Sequence, residues 1–402
     1  MRKTITIGDL GTIITGKTPP TTNKNYYGNY AVFIKPTDIS EQYKFTYETE
    51  EMYSRIAAEK YASSLIPKGA ICVPCIGTIG TKMTMAPCDC YTNQSINSIV
   101  CNDKYDNEYV YYLIKNFLPG LKSYNLGTAS GREFISKSNF EKIEIVVELN
   151  KNIQKEIGKF LSRYDSLIEN YQKQIKLLEE SAQRLYKEWF IDLRFPGHGN
   201  TKIVDGIPEG WEKKKIFELG KVVTGKTPST ANKANYGGDI PFITIPDMHS
   251  GIYPTCSQTL SKQGAESQLG KYIPENSLMV SCIGTAGLVC ISETLCQTNQ
   301  QINSLVMENG LKLYYMYFTF LSLKEHLNNI GSNGATMTNV NKSKFENIEV
   351  VVPIDSLLDS FNIIANNTFV KIKNLSLQIR HLIEARDRLL PKLMSGEINV
   401  NH

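Results

Sequence analysis

No stretch of the 402-residue chain approaches the ~20 consecutive apolar residues that a membrane-spanning helix requires, which excludes a helical membrane protein. The opening MRKTITIGDLG turns polar too early for the apolar core of a secretory signal, so the chain is expected in the cytoplasm. An excess of one charge sign is missing as well. Lys and Arg number 44 against 40 Asp and Glu, a net charge of +4, so contact with nucleic acid has to come from the arrangement of cations rather than their number. Histidine is scarce: His198, His249, His326, His381 and His402 are scattered, and no His/Asp/Ser or Cys/His arrangement recurs that would make a nucleophilic triad. The Gly-x-Gly-x-x-Gly turn, the Asn-Pro-Pro-aromatic motif of methyltransferases and a duplicated Pro-Asp…Glu-x-Lys nuclease pattern are all absent. Nine cysteines, an odd number in a reducing compartment, do not make a disulfide framework.

What is present is a globular composition, 41% hydrophobic and 21% charged, in a chain too long for one core of at most ~250 residues. Its organisation is a duplication with a period slightly above 200 residues. The segment GTIITGKTP from Gly11 to Pro19 answers GKVVTGKTP from Gly220 to Pro228. Tyr27-Gly28, Phe33-Ile34 and Asp38 answer Tyr236-Gly237, Phe242-Ile243 and Asp247. Cys75 to Thr78 returns as Cys282 to Thr285, and TNQSINS from Thr92 returns as TNQQINS from Thr298. Each copy closes on Lys-Ser-x-Phe before a β-branched strand, Ile143 to Val147 or Ile348 to Val352, and then enters a long helical stretch. Within the copies, short β-branched runs such as Ala31 to Ile34, Ala70 to Val73, Ile99 to Cys101 and Ser277 to Val280 alternate with Gly/Thr/Asn loops, the pattern of mixed sheets with some helix.

The helical stretches carry heptads. Ile157, Tyr164, Tyr171, Leu178, Leu185 interleave with Leu161, Ile168, Ile175, Ala182, Trp189, a two-position seam of the coiled-coil kind. In the second copy Phe361, Thr368, Leu375, Leu382, Leu389 interleave with Leu358, Ala365, Ile372, Ile379, Arg386, Leu393, a weaker seam that holds one Thr and one Arg. The two stretches align with each other and are natural partners. A Pro/Gly stop, FPGHGN from Phe195 to Asn200, ends the first, and Ile207-Pro-Glu-Gly-Trp211 opens the second globule. A helix from about Ile153 to Phe190 would be roughly 57 Å long at ~1.5 Å per residue, enough to hold two modules more than the ~34 Å of one DNA turn apart.

Two motifs invite other chemistry. Gly11 to Thr18 and Gly220 to Thr227 both fit Gly-x4-Gly-Lys-Thr, the phosphate-binding loop of nucleotide hydrolases. Their interiors, however, carry Ile13-Ile14 and Val222-Val223 where a loop wrapping phosphate needs small residues, and Pro follows with no helical period behind it, so the segment reads as a strand entering a turn. Cys72-x-x-Cys75 with Cys88-x-Cys90 resembles a zinc site. In the second copy only Cys75 and Cys90 have thiol counterparts, Cys282 and Cys296, while Met279 replaces Cys72, so no metal site is expected.

The ordered, duplicated landmarks, with Ile207 to Trp211, the paired Thr-Asn-Gln segments and the helix end RLYKEWFIDLRF from Arg184 to Phe195, resemble the specificity (S) subunit of type I restriction-modification systems over the whole chain. The first globule lacks the Ile-Pro-x-Gly-Trp lead-in and begins directly at Met1. The resemblance implies an α+β chain: two similar target recognition domains of mixed sheet and helix, each followed by a long helix, the helices pairing as an antiparallel coiled coil with pseudo-twofold symmetry. The expected divisions are 1–150 for the first recognition domain, 151–198 for the first helix, 199–353 for a linker and the second domain, and 354–402 for the second helix. The implied role is noncatalytic reading of double-stranded DNA at a bipartite asymmetric site. Two methyltransferase subunits binding S-adenosylmethionine and two restriction subunits using ATP and Mg would be recruited, and this chain itself would hold no cofactor.

Amide and cationic side chains on Lys-, Thr-, Asn- and Gln-rich loops are the candidates for DNA contact, since amides pair with adenine edges and Lys or Arg with phosphate or guanine. They are Lys17, Thr18, Lys35, Thr78, Lys82, Asn93, Gln94 and Arg132 in the first copy, and Lys226, Thr227, Thr244, His249, Thr285, Asn299, Gln300 and Asn333 in the second. The expected coiled-coil interface is Ile157, Leu161, Tyr164, Ile168, Tyr171, Ile175, Leu178, Leu185, Ile372, Leu375, Ile379, Leu382 and Leu389. Two rival readings stand beside this one: a coiled-coil adaptor with no preference on DNA, and a nucleotide-binding enzyme acting through Lys17 and Lys226.

Overall fold

The computed structural model describes residues 2–125, 127, 133–308, 310–332 and 338–400. The fold is α+β: two similar domains of small sheets, each followed by a long helix, with the two helices running antiparallel. Compact units cut across this order. One unit runs to Lys173 and takes in the chain again from Leu377, and the other is Gln174–Ser376, so each unit combines a globule with parts of both long helices.

In the first unit a four-stranded antiparallel sheet has the order Gly11–Thr15, Ile96–Cys101, Ile71–Pro74, Thr84–Met85. Its register sets Ile13 and Ile71 against Ile99, and side chains two apart share a face. The face that packs on the helices is therefore continuous hydrocarbon, with Tyr109, Val110, Leu113 and Ile114 of the helix Asn107–Phe117 buried against it. A second sheet places Tyr27–Ile34 between Met52–Tyr53 and Tyr91–Thr92, the last pairing parallel. A third pair, Arg2–Thr6 with Glu144–Glu148, delivers the chain to the long helix. The second unit repeats all three: Lys221–Thr224, Ile302–Val306, Leu278–Ser281 and Val289–Ile291; Gln258–Leu260, Tyr236–Ile243 and Gln297–Thr298; Glu212–Lys215 with Glu349–Val352. Even the irregularity in the long strand recurs, between Tyr27 and Ala31 and between Tyr236 and Ile240.

The first long helix is Lys151–Tyr186. Asn150 starts it, its Oδ1 accepting from the amides of Asn152 and Ile153. It closes in a wider π turn, Lys187–Ile191, ahead of the Pro/Gly segment, and Leu193 at φ 56° then turns the chain out of helical geometry. The wide turn sets Trp189 and Phe190 against Phe361, with Phe190 also facing Trp211. The second long helix is Asp355–Ser395.

The buried face of these helices departs from strict heptads. Ile157 is buried, and so, in the interleaved series, are Leu161, Ile168, Ala182 and Trp189, with Ile175 half-buried. Beyond Ile157 in its own series, Tyr164, Tyr171, Leu178 and Leu185 are half-buried, and the inward positions are one residue further on, at Asp165 and Tyr186. Spacing of 11 residues, as from Gln154 to Asp165 and Ile157 to Ile168, turns the inward face slightly in the right-handed sense, opposite to the left-handed supercoil that heptads impose. In the second helix Ile372, Leu375 and Ile379 are buried and Leu382 and Leu389 half-buried, while Phe369 rather than Thr368 faces inward.

Candidate nucleic-acid interface

The Gly-Lys-Thr-Pro segment is a strand running into a turn in both copies, and a short 3-10 turn, Lys24–Tyr26 or Lys233–Asn235, follows it in place of a long helix. It lacks the helix dipole and row of amides by which a nucleotide loop holds phosphate. The turn lies on the Thr-Asn-Gln loop. The amides of Gly16 and Gly225 donate to the carbonyls of Ile96 (3.3 Å) and Ile302 (3.1 Å), and those of Lys17 and Lys226 to Thr92 and Thr298, both at 2.9 Å. The Thr18 hydroxyl donates to Gln94 Oε1, and that of Thr227 to Gln300 Oε1 at 2.6 Å. Tyr27 and Tyr236 donate to the carbonyls of Pro19 (2.7 Å) and Pro228 (2.8 Å). Glycine is required in the turn because a β-carbon at Gly16 would overlap the carbonyls of Thr92 and Asn93, and one at Gly225 those of Thr298 and Asn299.

This framework presents Lys17, Thr18, Gln94, Lys226 and Gln300 to solvent, with Thr227 half-buried. Asn93 and Asn299 are structural within it. Their amides donate to Ile34 and Ile243 carbonyls, and their side-chain oxygens accept from the amides of Ser95 and Gln301, both at 3.1 Å. Lys35 is held by Glu50 (2.7 Å) and Glu51 (3.0 Å). Burial works against its charge, but the two carboxylates outweigh that and raise its pKa. Thr244 caps a turn, its amide and hydroxyl both donating to Asp247 Oδ2, at 2.8 and 2.6 Å. His249 and Thr285 are exposed, Lys82 is half-buried, and the Thr78 hydroxyl is buried without a hydrogen-bond partner among the described residues. Arg132 and Asn333 lie outside the described residues, as do Thr128 to Ser130 and Thr336 to Met337.

Lys24 and Lys233 occupy equivalent exposed positions on the same loops and were not among the sequence candidates. The signal was in the repeat, Asn23-Lys24 against Asn232-Lys233. Of the cysteines suggestive of zinc, Cys72, Cys75 and Cys90 are buried and Cys88 is exposed; the Cys75 thiol and its counterpart Cys282 donate to the carbonyls of Val73 and Val280, both at 3.5 Å, and burial pushes each thiol up to about 12.

The family described as Type I restriction modification DNA specificity domain matches residues 2–180 and 208–356. The specificity subunit of the type I restriction enzyme HindI of Haemophilus influenzae is 40% identical over 195 residues, 48% of this chain and 42% of that one, so the match spans less than half of that relative. The MjaIX specificity subunit of Methanocaldococcus jannaschii is 28% identical over 407 residues, 98% of this chain and 93% of the other. In fold, the crystal structure of a type I restriction-modification S subunit from M. genitalium is similar, with a TM-score of 0.57 at 16% identity, covering 98% of this chain and 96% of that one.

Proposed function

The chain belongs to the type I restriction-modification DNA specificity family, whose members read DNA sequence and carry out no chemistry, and on that premise we propose that it reads a bipartite, asymmetric site. Residues 1–150 read one half and residues 199–353 the other, across base pairs that neither touches. The observation that carries this reading is a shared framework with divergent loops. The hydrogen bonds that pin the Gly-Lys-Thr-Pro turn recur atom for atom, and the Lys35 and Thr244 amides both donate to the aligned Asp38 and Asp247, while the side chains differ: Lys35 pairs with Glu50 and Glu51 where the Thr244 hydroxyl donates to Asp247. Different donors and acceptors on one framework suit different bases. The partners are two methyltransferase subunits, which would bring S-adenosylmethionine for adenine methylation, and two restriction subunits, which would bring ATP and Mg, all acting on DNA in the cytoplasm. The test is to exchange residues 1–150 for the matching domain of a relative and sequence the methylated sites of the host. One half of the motif should change, with the other half and the spacer retained. A change in both halves, or a continuous motif, refutes two independent readers.

A further inference from the structure

The lysines of the two Gly-Lys-Thr-Pro loops differ from the other candidates in being duplicated with their surroundings. Lys17 and Lys24 in the first domain, and Lys226 and Lys233 in the second, are exposed, and none of the four is in an ion pair among the described residues. Each pair rides on a loop whose freedom has been removed. Besides the bonds already described, Asn23 and Asn232 side chains accept from the amides of Asn25 and Ala234, both at 3.2 Å. The Ser54 and Ser261 hydroxyls tie down the carbonyls of Asn25 and Ala234, both at 2.6 Å. Gln94 and Gln300 each accept from a Thr hydroxyl, Thr18 or Thr227, through the amide oxygen, which orients the amide and leaves its NH2 to donate to a ligand. Each domain thus presents two exposed cations and an amide donor on the same hydrogen-bonded framework, twice over.

A group that reads bases has to differ between domains that read different half-sites. A group kept identical fits the part of DNA that is identical everywhere, the phosphodiester backbone, whose oxygens only accept. We propose that Lys17, Lys24 and Gln94 in the first domain, and Lys226, Lys233 and Gln300 in the second, form a phosphate clamp that seats each domain on its half-site and reads no base. The proposal rests on the DNA-reading function above and divides its labour: the clamp sets where a domain sits, and the divergent loops choose the sequence.

The experiment uses the full chain in complex with its methyltransferase partner. Binding is measured to a duplex carrying the methylated motif and to one with that motif scrambled, over about 50–200 mM salt, for the parent, for Lys17→Gln with Lys24→Gln, and for the corresponding Arg pair. The Gln pair should weaken both duplexes by the same factor, make the slope of log affinity against log salt shallower by about 2, one for each lysine, and leave the methylated motif unchanged. The Arg pair should restore affinity and slope. Relaxed or altered preference at a base of one half-site would make these lysines base readers and overturn the clamp. Unchanged affinity and slope in a variant that melts like the parent would make them spectators and overturn it equally. A parent complex that does not prefer its motif duplex would instead bring down the DNA-reading function, and the clamp with it.

Discussion

Replacing Arg386 should destabilise the first unit more than almost any other single change in the chain. The guanidinium is 1% exposed and pairs with Asp165, itself 3% exposed, across the two long helices, while Tyr112 donates its hydroxyl to the second oxygen of the same carboxylate. The guanidinium also bonds Asp387 at 2.8 Å and the Gln42 carbonyl at 3.5 Å. Burial alone would lower the pKa of Arg386, but Asp165 and Asp387 outweigh it and raise it further. In the second unit the aligned positions are Ala182 and Phe369, with Phe318 taking the place of Tyr112 and lying 5.8 Å from Phe369 ring to ring. The same packing problem has one ionic and one hydrocarbon solution. Breaking a buried pair by removing one partner leaves the other charge stranded and costs about 3–5 kcal/mol, whereas replacing both partners by hydrocarbon is commonly neutral or stabilising. Arg386→Ala should therefore lower the thermal midpoint of the first unit by roughly 10 °C, taking about 2–4 °C per kcal/mol for a unit of this size. Asp165→Leu with Arg386→Met should return it to within a few degrees of the parent. Calorimetry on the full chain reads both. A loss below ~1 kcal/mol for Arg386→Ala would refute the burial argument, and a double variant as unstable as the single would show that the ionic network itself is required.

Glu179 is raised to about 7 by burial, so its carboxyl is proton-bound more readily folded than unfolded. Stability from this group is present near pH 4.5 and falls as pH rises to about 7, and Glu179→Gln should stabilise the chain at pH 8 by about 1 kcal/mol after allowance for partial exposure, with no gain near pH 4.5, read from denaturant unfolding at both pH values. Gly16→Ala should displace the first Gly-Lys-Thr-Pro loop at a cost of about 1–3 kcal/mol and abolish methylation of the intact site, and Gly225→Ala should do the same from the second domain; normal methylation by either would mean the loop is dispensable. Adding four residues to the first long helix, ~6 Å at ~1.5 Å per residue, should lengthen the spacer of the methylated motif without altering either half, and an unchanged spacer would mean that the helix does not set it.

The duplication was legible because its landmarks are steric necessities. Gly16 and Gly225 have no room for a side chain, and Tyr27 and Tyr236 each have a carbonyl to hold, so these residues recur whatever the loops around them do. The helices were legible from their apolar spacing, but the one-residue shift from Tyr164 to Asp165 was not, since a buried carboxylate has no hydrophobic signature and its partner is 221 positions away. The division into units was hidden for the same reason: a heptad pattern says that a helix has a partner, not which globule each of its ends joins. Among the candidate DNA residues, hydrogen-bonding capacity could be read from the sequence, but prior commitments could not. Lys35 and Thr244 look free in sequence and are engaged with Glu50, Glu51 and Asp247, all brought close by turns.

A ribosome makes the first unit in two instalments. Its globule and the start of its helix emerge early, yet Leu389, Leu390, Leu393 and Met394, which close its core around Ile157 and Leu161, are synthesised only after the whole of the second unit, and Arg2 waits for the carbonyl of Leu393. The second unit, Gln174–Ser376, is complete before they exist. With about 200 residues to translate at ~5–20 residues per second, the nascent first unit spends roughly 10–40 s with an apolar surface open and Asp165 without its arginine. The later-encoded unit thus matures first, and a message cut short between Ser376 and Leu389 would strand the earlier unit, already made, as the aggregation-prone product.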